Sequence, residues 1–164
     1  MKSTAASGWS IFLADDAATL QQAARMAQCL PAGAPCVLYL QGDLGTGKTT
    51  LTRGVLRELG EQGAVRSPTY GLIAEYETSA GRVLHLDLYR LRSAEELAAL
   101  GLADYLSQTW LWLIEWPEQA QGARLPQPDA RVFIEVEAAG RLLRISPESA
   151  AGRQWLDCLS RDPV

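Results

Sequence analysis

The chain has 164 residues, of which 48% are hydrophobic and 21% charged. That length suits one domain whose core needs no disulfide or metal staple. A formal net charge of −4 and a pI near 5.0 argue against a direct, tight grip on a nucleic-acid backbone, which calls for a basic excess.

In chain order, residues 8–13 read as a short strand. The apolar segment 9–14 is interrupted by Ser10 and followed by Asp15 and Asp16, too short and too quickly charged for a signal peptide. No run approaches transmembrane length. Asp15 or Asp16 caps a helix reaching about Leu30, with Ala, Leu and Met at helical spacing. Residues 31–35, from proline to proline, form a turn. Residues 37–40, Val-Leu-Tyr-Leu, are apolar throughout, the mark of a strand buried on both faces. Residues 48–59 read as a helix ended by Gly60. Residues 69–77 and 82–89 form a hairpin joined through Ser-Ala-Gly. Ser93 to Glu96 reads as a capping box opening a helix to about Leu100. Residues 110–115 are a second compact strand, and 117–130 a loop rich in Gly, Pro and Gln. Residues 131–137 and 141–146 make another hairpin, and a last helix covers about 148–160. Strands alternating with helices, with two hairpins mixed in, predict an α/β layered fold with a mixed sheet.

Between the first apolar strand and the following helix lies Gly42-Asp43-Leu44-Gly45-Thr46-Gly47-Lys48-Thr49. It matches the phosphate-loop pattern GxxxxGK[ST] at every fixed position and in the required strand–loop–helix context. The glycines let the backbone curl its N–H groups inward as an anion nest. The helix aims its positive end at the phosphates. Lys48 is placed for the β and γ phosphates, the Thr49 hydroxyl for magnesium, and Thr50 for the α phosphate. A nucleoside triphosphate with magnesium is the expected ligand, and its hydrolysis the expected reaction.

Such a site needs an acid at the end of a neighbouring apolar strand. Asp87 and Glu115 are the candidates. The competing reading of Asp87 is an ion pair with Arg90 or Arg92, and that of Glu115 a solvated strand end. Ser67-Pro68-Thr69-Tyr70 is a polar loop that could bring a hydroxyl to the metal or the γ-phosphate. His85 has no partner motif for a nucleophilic triad and reads as a plain strand residue. Trp116 follows Glu115 and could form the rim of the site. Cys29, Cys36 and Cys158 make no CxxC pair, so three reduced, part-buried thiols in a cytosolic protein are expected.

The chain contains no asparagine, so the Asn-Lys-x-Asp guanine-reading motif is missing and ATP is favoured over GTP. A small metabolite kinase stands as an alternative, although the segment 117–131 offers only Arg124 and Arg131 as a lid. A switch module that binds nucleotide without turnover is the third reading.

Four segments together, Gly42 to Thr50, Ser67-Pro68-Thr69-Tyr70, His85-Leu-Asp-Leu-Tyr-Arg-Leu91 and Ile114-Glu-Trp-Pro117, resemble the bacterial TsaE (YjeE) family of tRNA threonylcarbamoyladenosine biosynthesis proteins. The likeness runs from about residue 10 to 137 and includes Arg53-Gly54, Glu95-Glu-Leu97 and Gly101-Leu-x-Asp-Tyr105. It implies a cytoplasmic P-loop ATPase of three-layer fold, weakly active alone. It implies two partner proteins of the threonylcarbamoyl-transfer complex and, through them, tRNA. It implies Lys48 as the phosphate lysine, Thr49 and Glu115 as magnesium ligands, and Asp87 as the acid on the metal or the attacking water. Thr69 follows as a switch-loop residue and Trp116 as its site neighbour. Gly71 departs from the family's usual Thr or Ser, and the segment after 137 matches nothing in it. Residues 13–19 are expected near the adenine.

Overall fold

The computed structural model describes residues 8–68 and 70–161. Seven strands form one sheet in the order β1-β7-β6-β2-β5-β4-β3. Here β1 is Trp9–Leu13, β2 Cys36–Gln41, β3 Ile73–Thr78, β4 Gly81–Asp87, β5 Thr109–Glu115, β6 Ala130–Glu137 and β7 Gly140–Pro147. The four central strands β6, β2, β5 and β4 run parallel, while the β6–β7 and β3–β4 hairpins and the β1–β7 pair are antiparallel. The sheet is therefore mixed, as the interleaved hairpin signals require.

The central strand shows how patterning becomes layers. Successive side chains on β2 point to opposite faces. Leu38 and Leu40 enter one core with Leu111, Leu113, Val132 and Ile134. Val37 and Tyr39 enter a second core with Leu84, Leu86, Trp112 and Ile114. The first core is closed by α1 (Asp16–Gln28), α2 (Lys48–Glu58) and α5 (Ala150–Ser160). The second is closed by α3 (Ala94–Ala99), α4 (Leu102–Tyr105) and a 3₁₀ turn at Pro117–Ala120. Helices on both faces of the sheet give three layers.

Local signals set the helix ends. Asp15 Oδ1 accepts from the Ala18 N–H at 2.8 Å, the capping bond that Asp offers at this position. From there Thr19, Gln22, Ala23, Met26 and Ala27 bury one stripe of α1. Ser93 caps α3 through the Glu96 N–H at 3.2 Å. The Glu96 carboxylate reaches back to the Arg92 N–H at 2.8 Å, one residue earlier than a reciprocal capping box places it. Ser149 caps α5 through Gly152. Gly54 lies where α1 and α2 come closest: a β-carbon there would overlap that of Ala23.

Three expectations change. The strand read from residue 69 begins at Ile73, because Leu72 takes a left-handed φ of 62° and donates its N–H to the Pro68 carbonyl at 2.7 Å. That turn breaks the extended run. Its partner strand stops at Asp87, where Leu88 turns its N–H to the Glu115 carbonyl at 3.1 Å. The thiols are not all reduced: Cys29, at the end of α1, and Cys158, in α5, form a disulfide with Cα atoms 5.7 Å apart. The pairing spans 129 residues of sequence and exists because α5 packs beside the end of α1, a neighbour relation that no local spacing encodes. Cys36 stays free and buried.

Candidate functional site

The loop between β2 and α2 adopts the backbone its glycines permit. Gly42, Gly45 and Gly47 have φ of 145°, 78° and 107°, a region that residues with a β-carbon seldom enter. Gly47 precedes α2 with no side-chain cap, and the first turn of α2 carries no acidic residue. Its leading N–H groups are left for an external anion. Thr46 is buried and ties the loop internally, its hydroxyl donating to the Asp43 carbonyl at 3.0 Å. Leu44, at the loop tip, is exposed.

Lys48 is only 4% exposed. Its ammonium donates to the carbonyls of Gly42 at 2.6 Å and Asp43 at 2.8 Å and sits 4.2 Å from the centroid of the Trp116 ring. Burial lowers its pKa from the usual lysine value, opposed by the charges of Glu115, Glu118, Asp87 and Asp43. The lysine is thus held over the loop by neutral acceptors and an aromatic face. An arriving phosphate would offer it a full counter-charge.

The two acids end neighbouring parallel strands in register, Asp87 beside Glu115. Asp87 is 6% exposed and Glu115 2%. The Thr49 hydroxyl lies 3.2 Å from Glu115 Oε1 and 3.3 Å from Oε2. Asp87 accepts from the Ser67 hydroxyl and, through Oδ1, from the Tyr89 N–H at 3.0 Å. Among the described residues neither acid is bridged to a lysine or arginine. The pairing of Asp87 with Arg90 or Arg92 is therefore absent there, and Glu115 is a buried strand end rather than a solvated one. Buried carboxylates are costly without compensation. Two of them beside a threonine hydroxyl form an all-oxygen set of the kind that suits magnesium, so the donor chemistry fits that ion.

These groups line a single cleft of about 470 Å³ that includes Gly45, Gly47, Lys48, Thr49, Thr50, Ser67, Asp87, Glu115 and Trp116. Trp116 takes a left-handed φ of 57° just before Pro117. Its ring packs on Tyr89 with centroids 4.9 Å apart. Thr69 lies outside the described residues.

Two residues in the site carried no such reading in the sequence. His85, fully buried, places Nε2 2.8 Å from Glu115 Oε1. Its clue is alternation: it lies two residues before Asp87 on β4 and shares that face. Arg141, at the start of β7, donates from Nε to the Thr46 carbonyl at 2.7 Å and pairs with Asp16 at 3.2 Å. Both Arg141 and Asp16 line the cleft. The stretch 13–19 thus reaches the site through Asp16, and the region after 137 contributes Arg141. Arg124 and Arg131, the two candidate lid arginines, sit elsewhere. Arg124 lines a separate groove beside α3 and α4, and Arg131 pairs with Glu148 at 3.0 Å.

The family model for the threonylcarbamoyl adenosine biosynthesis protein TsaE matches residues 13–143. The chain is 43% identical over 124 residues to the tRNA threonylcarbamoyladenosine biosynthesis protein TsaE of Haemophilus influenzae, covering 76% of this chain and 78% of that one. It is 37% identical over 119 residues to the TsaE of Bacillus subtilis, covering 73% and 72%. A crystal structure of Bacillus subtilis YdiB superposes with a TM-score of 0.78 at 26% identity, covering 94% of this chain and 95% of that one. The fold is that of the P-loop nucleoside triphosphatases, with antiparallel hairpins added to the parallel centre. Among the described residues no helix is long and apolar enough to cross a membrane. This chain is a member of the TsaE family, and its role belongs to the biosynthesis of threonylcarbamoyladenosine in tRNA.

Proposed function

We propose that the protein is a cytoplasmic ATPase that binds ATP with magnesium in the cleft between the residue 42–49 loop and the ends of β4 and β5. It works with the two protein partners of the bacterial threonylcarbamoyl-transfer complex, which hold the tRNA. The observation that carries this reading is the convergence of Lys48, Thr49, Asp87 and Glu115 on that one cleft. The loop's inward N–H groups and the first turn of α2 hold the phosphates, and Lys48 leaves its carbonyl acceptors to meet them. Asp43, Leu44, Gly45, Thr46 and Gly47 supply loop backbone, and Thr50 the α-phosphate contact. Thr49 and Glu115 would hold the metal, and Asp87 would either join them on the metal or position the attacking water. Magnesium, when bound, neutralises charge building up on the transferred phosphoryl group. Trp116 and Tyr89 wall the cleft beside Lys48, and Thr69 is proposed as a switch residue. The acidic charge of the chain fits a protein that reaches tRNA through partners.

The test is ATP turnover by the purified chain, alone and with the two partner proteins. Weak turnover alone and faster turnover with partners is expected. Turnover that is absent under both conditions, with ATP still bound, would favour a nucleotide switch. Labelled γ-phosphate recovered on an acceptor would favour a kinase. The placement of Arg124 and Arg131 away from the cleft weighs against that reading.

A further inference from the structure

We infer that His85 is a positioning residue that sets the orientation of the Glu115 carboxylate, and with it the metal affinity of the cleft. The inference rests on the reading of Glu115 as a magnesium ligand. The imidazole is fully buried and Nε2 lies 2.8 Å from Glu115 Oε1. A carboxylate only accepts, so Nε2 carries the hydrogen. Nδ1 is buried with no hydrogen-bond partner among the described residues. Among the described residues the ring is therefore anchored, as a hydrogen-bonding group, at Glu115 alone.

The geometry has a consequence for the two carboxylate oxygens. Oε1 faces His85 Nε2 at 2.8 Å and the Thr49 hydroxyl at 3.2 Å, while Oε2 faces the same hydroxyl at 3.3 Å. His85 thus pins one oxygen and fixes the plane of the carboxylate, both oxygens of which lie within reach of the Thr49 hydroxyl in the first turn of α2. It does so across a strand pair whose register sets Asp87 opposite Glu115. His85 and Asp87 share one face of β4, so a single strand presents one acid directly and steadies the other. A carboxylate that is 2% exposed and lacks that donor is free to rotate and loses a hydrogen bond to a charged group. Partners that orient a metal ligand commonly govern affinity by 10- to 100-fold.

Glutamine and asparagine separate this role from a packing role. A glutamine amide nitrogen can reach the place of Nε2, whereas an asparagine amide nitrogen stops near Nδ1. The measurement is ADP affinity of the full chain by calorimetry, with a magnesium titration and in its absence. For His85→Gln, magnesium dependence near that of the unsubstituted chain is expected. For His85→Asn, an apparent magnesium affinity weaker by roughly 10-fold is expected, with metal-free ADP affinity unchanged within about twofold. Equal magnesium dependence in H85N and the unsubstituted chain would overturn the inference. So would a loss in H85N that is the same with and without metal, or an H85Q variant no better than H85N. If H85N does not fold, H85Q decides, and a folded H85Q that has lost its magnesium dependence overturns the inference. Glu115→Gln is measured alongside. If it keeps its magnesium dependence, the metal reading itself fails. If it loses that dependence while H85N does not, only the role of His85 falls.

Discussion

The Thr49 hydroxyl stands 3.2 Å from Oε1 of Glu115, joining the first turn of α2 to the end of β5. This contact links the phosphate loop to the acid strand, and it marks the boundary between the two jobs we propose for the cleft. On the proposed reading the loop and Lys48 would hold phosphate, while Thr49, Glu115 and Asp87 would face the metal. Replacing Glu115 or Asp87 by alanine is expected to leave ADP affinity within a few-fold and to remove magnesium-dependent ATP turnover. Steady-state phosphate release checks this, and normal turnover in both variants would refute the metal assignment.

Lys48→Ala should have the opposite signature. It removes the cation held over the loop by the Gly42 and Asp43 carbonyls and the Trp116 ring. We expect ATP affinity to fall by roughly 100-fold or more, about 2.7 kcal/mol, with or without magnesium. Calorimetry showing unchanged affinity would sink the nucleotide reading as a whole.

Gly54→Ala tests the approach of α1 to α2. In an isolated helix this exchange stabilises by about 1 kcal/mol. Here the new β-carbon would overlap that of Ala23 and crowd Leu20, and overpacking typically costs about 1–3 kcal/mol. The two helices are held on one sheet, so neither can retreat freely and the overlap wins. A lower midpoint in urea is expected, and a raised midpoint would show that the helices separate easily.

The Cys36 thiol is pushed up to about 12 by burial, assisted by the negative charge of Asp129. The folded chain therefore holds this proton more tightly than the unfolded chain. Below the ordinary thiol value of 9.0 both states are protonated and the group leaves stability independent of pH. Between there and about 12 the unfolded state ionises first, so stability falls as pH rises. Because the thiolate is the nucleophile, iodoacetamide at pH 8 should leave Cys36 unlabelled in the native protein and label it in denaturant. Rapid native labelling would contradict this burial.

Much of the fold was legible because its determinants are local. The strand at 37–40 is apolar on both faces, and Asp15, Ser93 and Ser149 each cap the helix that follows. The 3₁₀ turn after Trp116 and the short helix α4 lay within stretches read as loop or motif, since one turn of helix has too few residues to show a period. Leu72 broke the predicted strand through a left-handed backbone, which a leucine does not announce.

By itself, the sequence determined the phosphate loop and nominated Lys48, Thr49, Asp87 and Glu115, because glycine spacing, a lysine and acids after apolar strands are features of neighbouring residues. Tertiary structure alone decided what those acids touch. The parallel pairing of β4 with β5 brought His85 to Glu115, which lies 30 residues away in sequence, and the packing of β7 beside β1 carried Arg141 to Thr46 and Asp16. It also joined Cys29 to Cys158. Strand register and helix packing create these contacts at distances in sequence where no periodicity reaches, so they appear only once the chain is folded.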